Sequence, residues 1–263
     1  MHEGLFIAAS GAVRQQRKME VLANNLANMN NMGFKKDDLV FEAMLPPFPK
    51  NSNSEENSNI LLPIEQPNTN VTYVGMAKFS TDFSQGTLDQ TNNVFDLALD
   101  GEGFFAVETP DGFRYTRKGN FHLDGNNRLV SQNGYPLQGD QGGNITLTNV
   151  SGEITIDTEG IISGGSGVAI VPLGKVKVVT FDDKAMLEKK GDGLFGLIDP
   201  NIVEQKAPQT KIRQGFLEQS NVKTVDEMVK MIDALRSFEA YQKMIQTVDQ
   251  LDERSANSIG RVG

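Results

Sequence analysis

Residues 101–117 read GEGFFAVETPDGFRYTR, and two folds compete for them. Gly101-Glu102-Gly103-Phe104-Phe105-Ala106 matches G-x-G-x-x-A, and Leu97–Leu99 ahead of it reads as a strand. A dinucleotide site needs a helix to start at those glycines, so that its N-terminus can hold a pyrophosphate. The chain continues instead as Val107-Glu108-Thr109 and then Pro110-Asp111-Gly112, a strand and a turn. Gly103–Thr109 and Phe113–Arg117 therefore predict a β-hairpin, with the two glycines permitting a bend before it.

The period of two extends in both directions, from Val71 to about Lys211. Glu153–Asp157 and Lys175–Val178 alternate polar with apolar. Turn signals recur at Asp124-Gly125-Asn126, Asn133-Gly134, Gly142-Gly143-Asn144 and Gly164-Gly165-Ser166-Gly167. Short strands at a spacing of roughly 8–12 residues, with glycine turns, predict an all-β barrel or sandwich.

Outside this region the period changes. Leu5, Ala8, Ala12, Gln15, Met19, Leu22 and Leu26 step by three and four, a coiled-coil-like stripe. A helix from about Gly4 to Met29 would be roughly 39 Å long at ~1.5 Å per residue. Asn28, Asn30, Asn31 and Gly33 supply its stop signal. At the other end, Thr224 and Glu227 form a T-x-x-E capping box. Behind it runs a stripe of Val225, Met228, Ile232, Leu235, Phe238, Ile245, Val248 and Leu251, predicting a helix to about Ser255. Residues 46–70 are rich in Pro, Ser and Asn and read as a linker or extended arm.

The expected class is thus α+β, with long coiled-coil-like helices at both ends of a central all-β domain. The segments are 1–45 (assembly helix and turn), 46–70 (arm), 71–215 (β domain) and 216–263 (assembly helix). Two stripes of this length suit an intramolecular stalk, pairing between subunits, or an adaptor surface. They are not the strongly basic kind that lies on membranes.

Composition removes several functions. The chain has 263 residues, 38% hydrophobic and 22% charged, with a net charge of −9. A nucleic-acid binder would be basic. With no Cys, thiol nucleophiles, disulfides and Cys-ligated metals are excluded, and two His leave His122 as the one plausible triad base. No run approaches the ~18 apolar residues of a membrane span. Leu5–Ala9 is too short for a signal-peptide core and lacks a basic lead-in, so any export is expected to use a route that removes no such peptide.

The remaining motifs read as structure. Gly164–Gly167 and Gly174-Lys175 lack the spacing of a phosphate loop. Asp124-Gly125-Asn126-Asn127-Arg128 has Arg where a calcium loop needs oxygen, and reads as a turn. Asp37-Asp38 and Asp182-Asp183 are adjacent carboxylates that a strand points to opposite faces, and read as solvated surface. His122, without a serine nucleophile motif, reads as a strand residue. Arg14, Arg17 and Lys18 read as a solvated helix face, or as partners for acids such as Asp226, Glu227 or Asp233 of another helix. No enzyme, cofactor, metal or small-molecule substrate is expected.

Specific strings carry a resemblance. Ala23-Asn24-Asn25-Leu26-Ala27-Asn28 followed by Gly33-Phe34-Lys35 closely resembles the N-terminal signature of the bacterial flagellar rod and hook proteins, with Met32 where the family often has Thr. The middle agrees at Asp96–Phe105, Tyr115-Thr116-Arg117, Gly119-Asn120-Phe121 and Gly134-Tyr135-Pro136-Leu137. Gly215–Val222, with Glu227-Met228-Val229 and Met231-Ile232, looks like the family's last helix. Thr81-Asp82-Phe83-Ser84-Gln85-Gly86 and the Gly-Arg-Val-Gly end are most similar to the proximal-rod branch, with the distal-rod branch next. Thr91-Asn92-Asn93 stands where Thr-Gly-Asn is common, and Asn tolerates the same left-handed turn.

The resemblance implies a structural rod subunit, exported through the flagellar type III apparatus and assembled helically with copies of itself and other rod subunits. Its assembly interface would comprise Leu5, Ala12, Met19, Leu22, Asn24, Asn25, Leu26, Asn28, Val225, Met228, Ile232, Leu235, Phe238, Ile245 and Val248. Phe41 and Leu45 look similar to a short export-gate element. The location implied is the basal-body rod in the periplasmic space, with no direct membrane insertion. From the residues alone, a β-domain binding module and a coiled-coil adaptor remain rival classes.

Overall fold

The computed structural model describes residues 2–44, 73–148, 152–166 and 169–259. Contacts group the chain into two units. One comprises Met1–Lys18, Asp38–Ser80 and Arg236–Gly263, and the other Met19–Asp37 and Thr81–Leu235.

The second unit contains the β structure that residues 101–117 predict. Strands β5 (Phe104–Thr109) and β6 (Gly112–Thr116) pair antiparallel with Thr109 opposite Gly112, so Pro110-Asp111 is the turn. Gly112 sits at φ 100, a backbone region that favours glycine. Because β5, not a helix, follows Gly101 and Gly103, the dinucleotide geometry is absent. A Cβ on Gly103 would lie 3.0 Å from the Val178 side chain, which is the close approach the bend allows.

The hairpin is the middle of a six-stranded antiparallel sheet. Its order is β13 (Leu187–Gly191), β14 (Leu194–Leu197), β6, β5, β12 (Val178–Thr180) and β15 (Gln205–Lys206). The sheet does not close on itself; β13 and β15 are its edges. A three-stranded sheet joins β9 (Glu153–Ile156), β10 (Ile161–Ser166) and β11 (Ala169–Lys175). Two-stranded pairs join β3 (Leu88–Gln90) with β17 (Phe216–Glu218), β4 (Leu97–Asp100) with β16 (Lys211–Gln214), and β7 (Phe121–Leu123) with β8 (Leu129–Ser131). The alternation at Lys175–Val178 spans a break: β11 ends at Lys175, Val176 bridges to Gly139, and β12 begins at Val178.

Strand β5 separates two cores. Phe105 and Val107 join Leu97, Leu99, Phe121, Leu129, Leu137, Ile162 and Ile212 on one side. Phe104 and Ala106 join Tyr115, Val179, Phe181, Leu187 and Phe195 on the other. A strand covered on both faces reads as a continuous apolar run, which is why FFAV does not alternate. Phe83, Phe104 and Phe195 stack edge-on or tilted, with centroids 5.3–5.7 Å apart. Asn92 takes φ 62, the left-handed turn expected of it.

Helix α1 covers His2–Ala27 and helix α2 Thr224–Ile259. The stop after α1 works as expected: Gly33 has φ 66, and a Cβ there would lie 2.6 Å from the Arg117 backbone. In the first unit, Gly11 and Ala8 are buried, and a Cβ on Gly11 would lie 2.5 Å from the Tyr241 ring. The small residues let α2 approach α1 there, so the chain's two helices touch each other. The same unit holds the pair β1 (Asp37–Met44) and β2 (Tyr73–Thr81), apart from their terminal residues Asp37 and Thr81. Residues 46–70, expected as an arm, lie outside the described residues.

Two local expectations need correcting. Thr224 and Glu227 do not form a capping box. Thr224 is already helical and its hydroxyl points to the Met29 sulfur, 3.3 Å away, while the Glu227 backbone N–H bonds the Lys223 carbonyl at 3.0 Å. Asp37 is not a freely solvated carboxylate: Lys189 and Thr81 hold its two oxygens at 2.7 Å each. Asp182 and Asp183 are exposed, as expected of solvated surface; Asp183 caps a single 3-10 turn at Lys184–Met186, and Gln205 binds Asp182 at 2.6 Å.

Candidate functional site

The structure divides the residues expected at an assembly interface into two groups. On α2, Val225, Met228, Ile232 and Leu235 are exposed, and Val229 joins them. Their spacing of three and four makes one continuous outward apolar face over three turns. Val225 is 73% exposed and Ile232 50%. Phe238, Ile245 and Val248 are half-buried, and Leu251 is exposed. On α1, Leu5, Met19 and Leu26 are half-buried and Asn24 is exposed, and Asn28, just past the helix, is half-buried. Phe6, Ile7 and Val13 are exposed beside the predicted stripe.

Ala12, Leu22 and Asn25 are buried within the chain itself. Asn25 is the clearest case. Its amide NH2 donates to the Asp37 carbonyl at 2.9 Å and to a Glu227 carboxylate oxygen at 3.3 Å, and its carbonyl accepts from the Asp37 N–H at 3.0 Å. These bonds tie the inner end of α1 to the inner end of α2. Glu227, 2% exposed, is held again by Lys230 at 2.8 Å. Of the possible export element, Phe41 lies in β1 and Leu45 lies outside the described residues.

Beside this joint is a cluster that the residue patterns do not predict. Lys35, Arg117 and Glu218 are 0%, 3% and 1% exposed. The Lys35 ammonium donates to Glu218 Oε1 and to the Ser84 carbonyl, both at 2.6 Å. Arg117 donates through Nη1 to Glu218 Oε2 at 3.1 Å and through Nη2 to the Gly101 carbonyl at 2.8 Å. The Gly86 N–H donates to Glu218 Oε1 at 2.9 Å, and the Gly33 N–H to the Glu218 carbonyl at 2.7 Å. The Arg117 guanidinium also lies 5.4 Å from the centroid of the Phe104 ring. Removing one partner of such a buried set costs about 3–5 kcal/mol, because it strands a charge without water.

Two further side chains close the joint. Asn221 accepts the Lys36 N–H at 2.8 Å and donates to the Asp82 carbonyl at 2.8 Å. Lys189 on β13 donates to the Lys35 carbonyl at 2.5 Å, and its ammonium lies 4.3 Å from the Phe34 ring centroid. Burial pushes Lys35, Arg117 and Lys189 below their ordinary ranges, against the pull of Glu218 on the first two and Asp37 on the third. Burial, then the bond to Glu204, pushes the Tyr115 hydroxyl up.

One signal could have pointed to this cluster. Lys35, Ser84, Gly86, Arg117, Glu218 and Asn221 each fall inside a string that carries the family resemblance. The strings are far apart in sequence but meet in one place. Their chemistry is structural: every polar group named here is bonded to another part of the same unit. The neighbouring cleft, about 320 Å³, is lined by Asn24, Asn28, Asn31, Lys118, Lys189 and Asp192. Among the described residues no group of three or more His, Asp or Glu could hold a metal ion, and no helix is long and apolar enough to cross a membrane.

Comparison with known proteins agrees with the strings. Residues 5–35 match the family described as flagella basal body rod protein. Residues 98–164 match the flagellar hook protein FlgE/F/G D1 domain, and residues 213–259 the flagellar basal body rod FlgEFG protein C-terminal family. The chain is 32% identical over 262 residues to a flagellar basal-body rod protein FlgF of Caulobacter vibrioides, covering 100% of both chains. It is 34% identical to a flagellar basal-body rod protein FlgG of Borreliella burgdorferi, covering 95% of this chain and 96% of that one. For a FlgG of Bacillus subtilis the identity is 31%, over 98% and 99%. The chain therefore belongs to the flagellar basal-body rod protein family, as a structural rod subunit of the flagellar basal body and not an enzyme.

Proposed function

We propose that this rod subunit polymerises helically through its terminal helices and transmits torque along the shaft. The observation that carries this reading is the outward face of α2, where Val225, Met228, Val229, Ile232 and Leu235 are exposed together. Contiguous exposed apolar surface marks an interaction site. A contact between unlike surfaces of successive subunits need not close, and an open contact builds a filament. The joint of Asn25, Lys35, Arg117 and Glu218 then fixes where the helix roots leave the β structure. Stiffness follows from a joint built of buried, bonded groups.

In this reading the partners are copies of the chain and other rod subunits, the helices pair between subunits in coiled-coil fashion, and no nucleic acid, membrane insertion or small-molecule substrate is involved. The segments act as assembly helix and turn (1–45, ending in β1), arm (46–70), β domain (71–215) and C-terminal assembly segment (216–263), whose first residues pair as β17 with β3 before α2 begins. The subunit leaves the cell through the flagellar type III export apparatus without a cleaved signal peptide, with Phe41 and Leu45 as the export element, and takes its place in the periplasmic part of the rod. Within the rod we place it proximally, on the Thr81–Gly86 string. Distal placement is the second reading, supported by the near-equal identity to relatives bearing both rod names.

Electron microscopy of basal bodies from cells lacking the gene tests the placement. A rod that is missing or stops near its base supports the proximal reading. Loss of the outer part alone supports the distal one. Complete hook–basal bodies would overturn the structural role.

A further inference from the structure

We propose that Glu218 is a late-closing latch: its arrival docks the loop after α1 onto the β structure, so that the roots of both helices are set in one step. Four donors converge on this residue. Its carboxylate accepts from Lys35 at 2.6 Å, Gly86 N–H at 2.9 Å and Arg117 at 3.1 Å, and its carbonyl accepts from Gly33 N–H at 2.7 Å. It is the one anion of the buried Lys35–Arg117–Glu218 set, so that set is neutralised only in part even when complete, and among the described residues Arg117 Nε has no hydrogen-bond partner. Without Glu218, two cations would face each other out of water, which is among the costlier arrangements in a protein.

Chain order supplies the timing. Glu218 lies 183 residues after Lys35 and 101 after Arg117. Local contacts form first, so both cations are in place before the distant carboxylate reaches them. Until then, burying Lys35 and Arg117 is uphill, and residues 33–37 stay undocked. The β5–β6 hairpin has no such dependence, because its register is local and short loops close quickly. Contacts across more than a hundred residues close last, since their loop entropy must be overcome first. The strand that carries Glu218 leads through Asn221 into α2, and Asn221 binds the Lys36 N–H. Closing the latch thus positions the exit of α1 and the entry of α2 together. A chain lacking its C-terminal block does not present a correctly set α1 root, which keeps incomplete subunits from competing for assembly.

The test uses the full-length chain. Pulse-labelled hydrogen exchange during refolding should show hairpin amides at Val107 and Arg114 protected before those of Gly33 and Gly86. At equilibrium, Glu218→Gln should lower protection at Gly33 and Gly86 by about 100-fold or more while the hairpin amides hold. Adding Lys35→Met restores the native count of one uncompensated buried cation and should recover at least about 10-fold of that loss. Simultaneous protection of both regions during refolding would overturn the proposal. So would loss of hairpin protection in Glu218→Gln together with the loop, or no recovery in the double variant. The refolding experiment needs no substitution, so it decides the matter even if Glu218→Gln fails to fold.

Discussion

Strand β5 and the first three turns of α2 bury opposite kinds of residue. Phe104, Phe105, Ala106 and Val107 are all within 1% of full burial. On α2, Glu227 is 2% exposed while Val225, two residues earlier, is 73% exposed. The strand has met all its apolar neighbours inside one subunit. The helix has its carboxylate inside, bonded to Asn25 and Lys230, and its aliphatic side chains outside. In the proposed rod assembly, this apolar face, turned outward beside a buried polar joint, is the part of the helix that another subunit would cover. The β strand is covered on both faces within the chain; the first turns of α2 are held at one face and exposed at the other.

The comparison breaks most readily at the strand. Phe105→Ala should cost about 3–5 kcal/mol and unfold the second unit in one transition, as read by denaturant melts followed by circular dichroism. If it were silent, β5 would not be the closed region. Leu22, 4% exposed, belongs with the strand and not with the outward face, so Leu22→Asp should destabilise the subunit itself before assembly is asked of it. Next is the joint. Asn25→Ala leaves the Asp37 N–H and carbonyl without their partners and should cost about 1–3 kcal/mol, with hydrogen exchange rising first around residues 25–37.

Acid sharpens the contrast less. Burial opposes ionisation of Asp82, but the Ser84 N–H and hydroxyl and Lys36 outweigh it and hold its carboxyl below the ordinary range. The Lys184 bond does the same for Glu102, and the Arg128 N–H for Asp124. Groups depressed in the fold stabilise it above their unfolded pKa and lose that contribution as pH falls through the folded one. Stability should therefore be flat from neutral pH down to about 5 and fall below about 4, where these carboxylates take up protons. Asp82→Asn should flatten part of that fall. The smallest effect on stability is at the outward face: Ile232→Asp should change the melt of the isolated chain by about 0.5 kcal/mol or less.

Much of the fold was legible in the sequence because its signals are local. The Pro110-Asp111 turn, the Gly33 stop and the left-handed Asn92 are each set by a few adjacent residues. The six-strand order was not legible, because β12 joins β5 and β15 joins β12 from far along the chain. The capping-box pattern at Thr224 misled for a related reason: tertiary partners claim Glu227 before its own helix end can. The assembly stripe was only half legible. Spacing picked out Val225, Met228, Ile232 and Leu235, but the same rule picked Ala12 and Leu22, which are buried within the chain. Periodicity finds an apolar face without saying which molecule covers it. The Lys35–Arg117–Glu218 cluster was invisible to patterning, since three charges scattered over the chain look like three solvated side chains.

The outward face of α2 as the assembly surface is tested most directly by expressing Ile232→Asp in cells lacking the native gene and measuring its incorporation into purified basal bodies. The account predicts a variant that melts like the native chain yet is absent from the rod. Incorporation at the native level would contradict it.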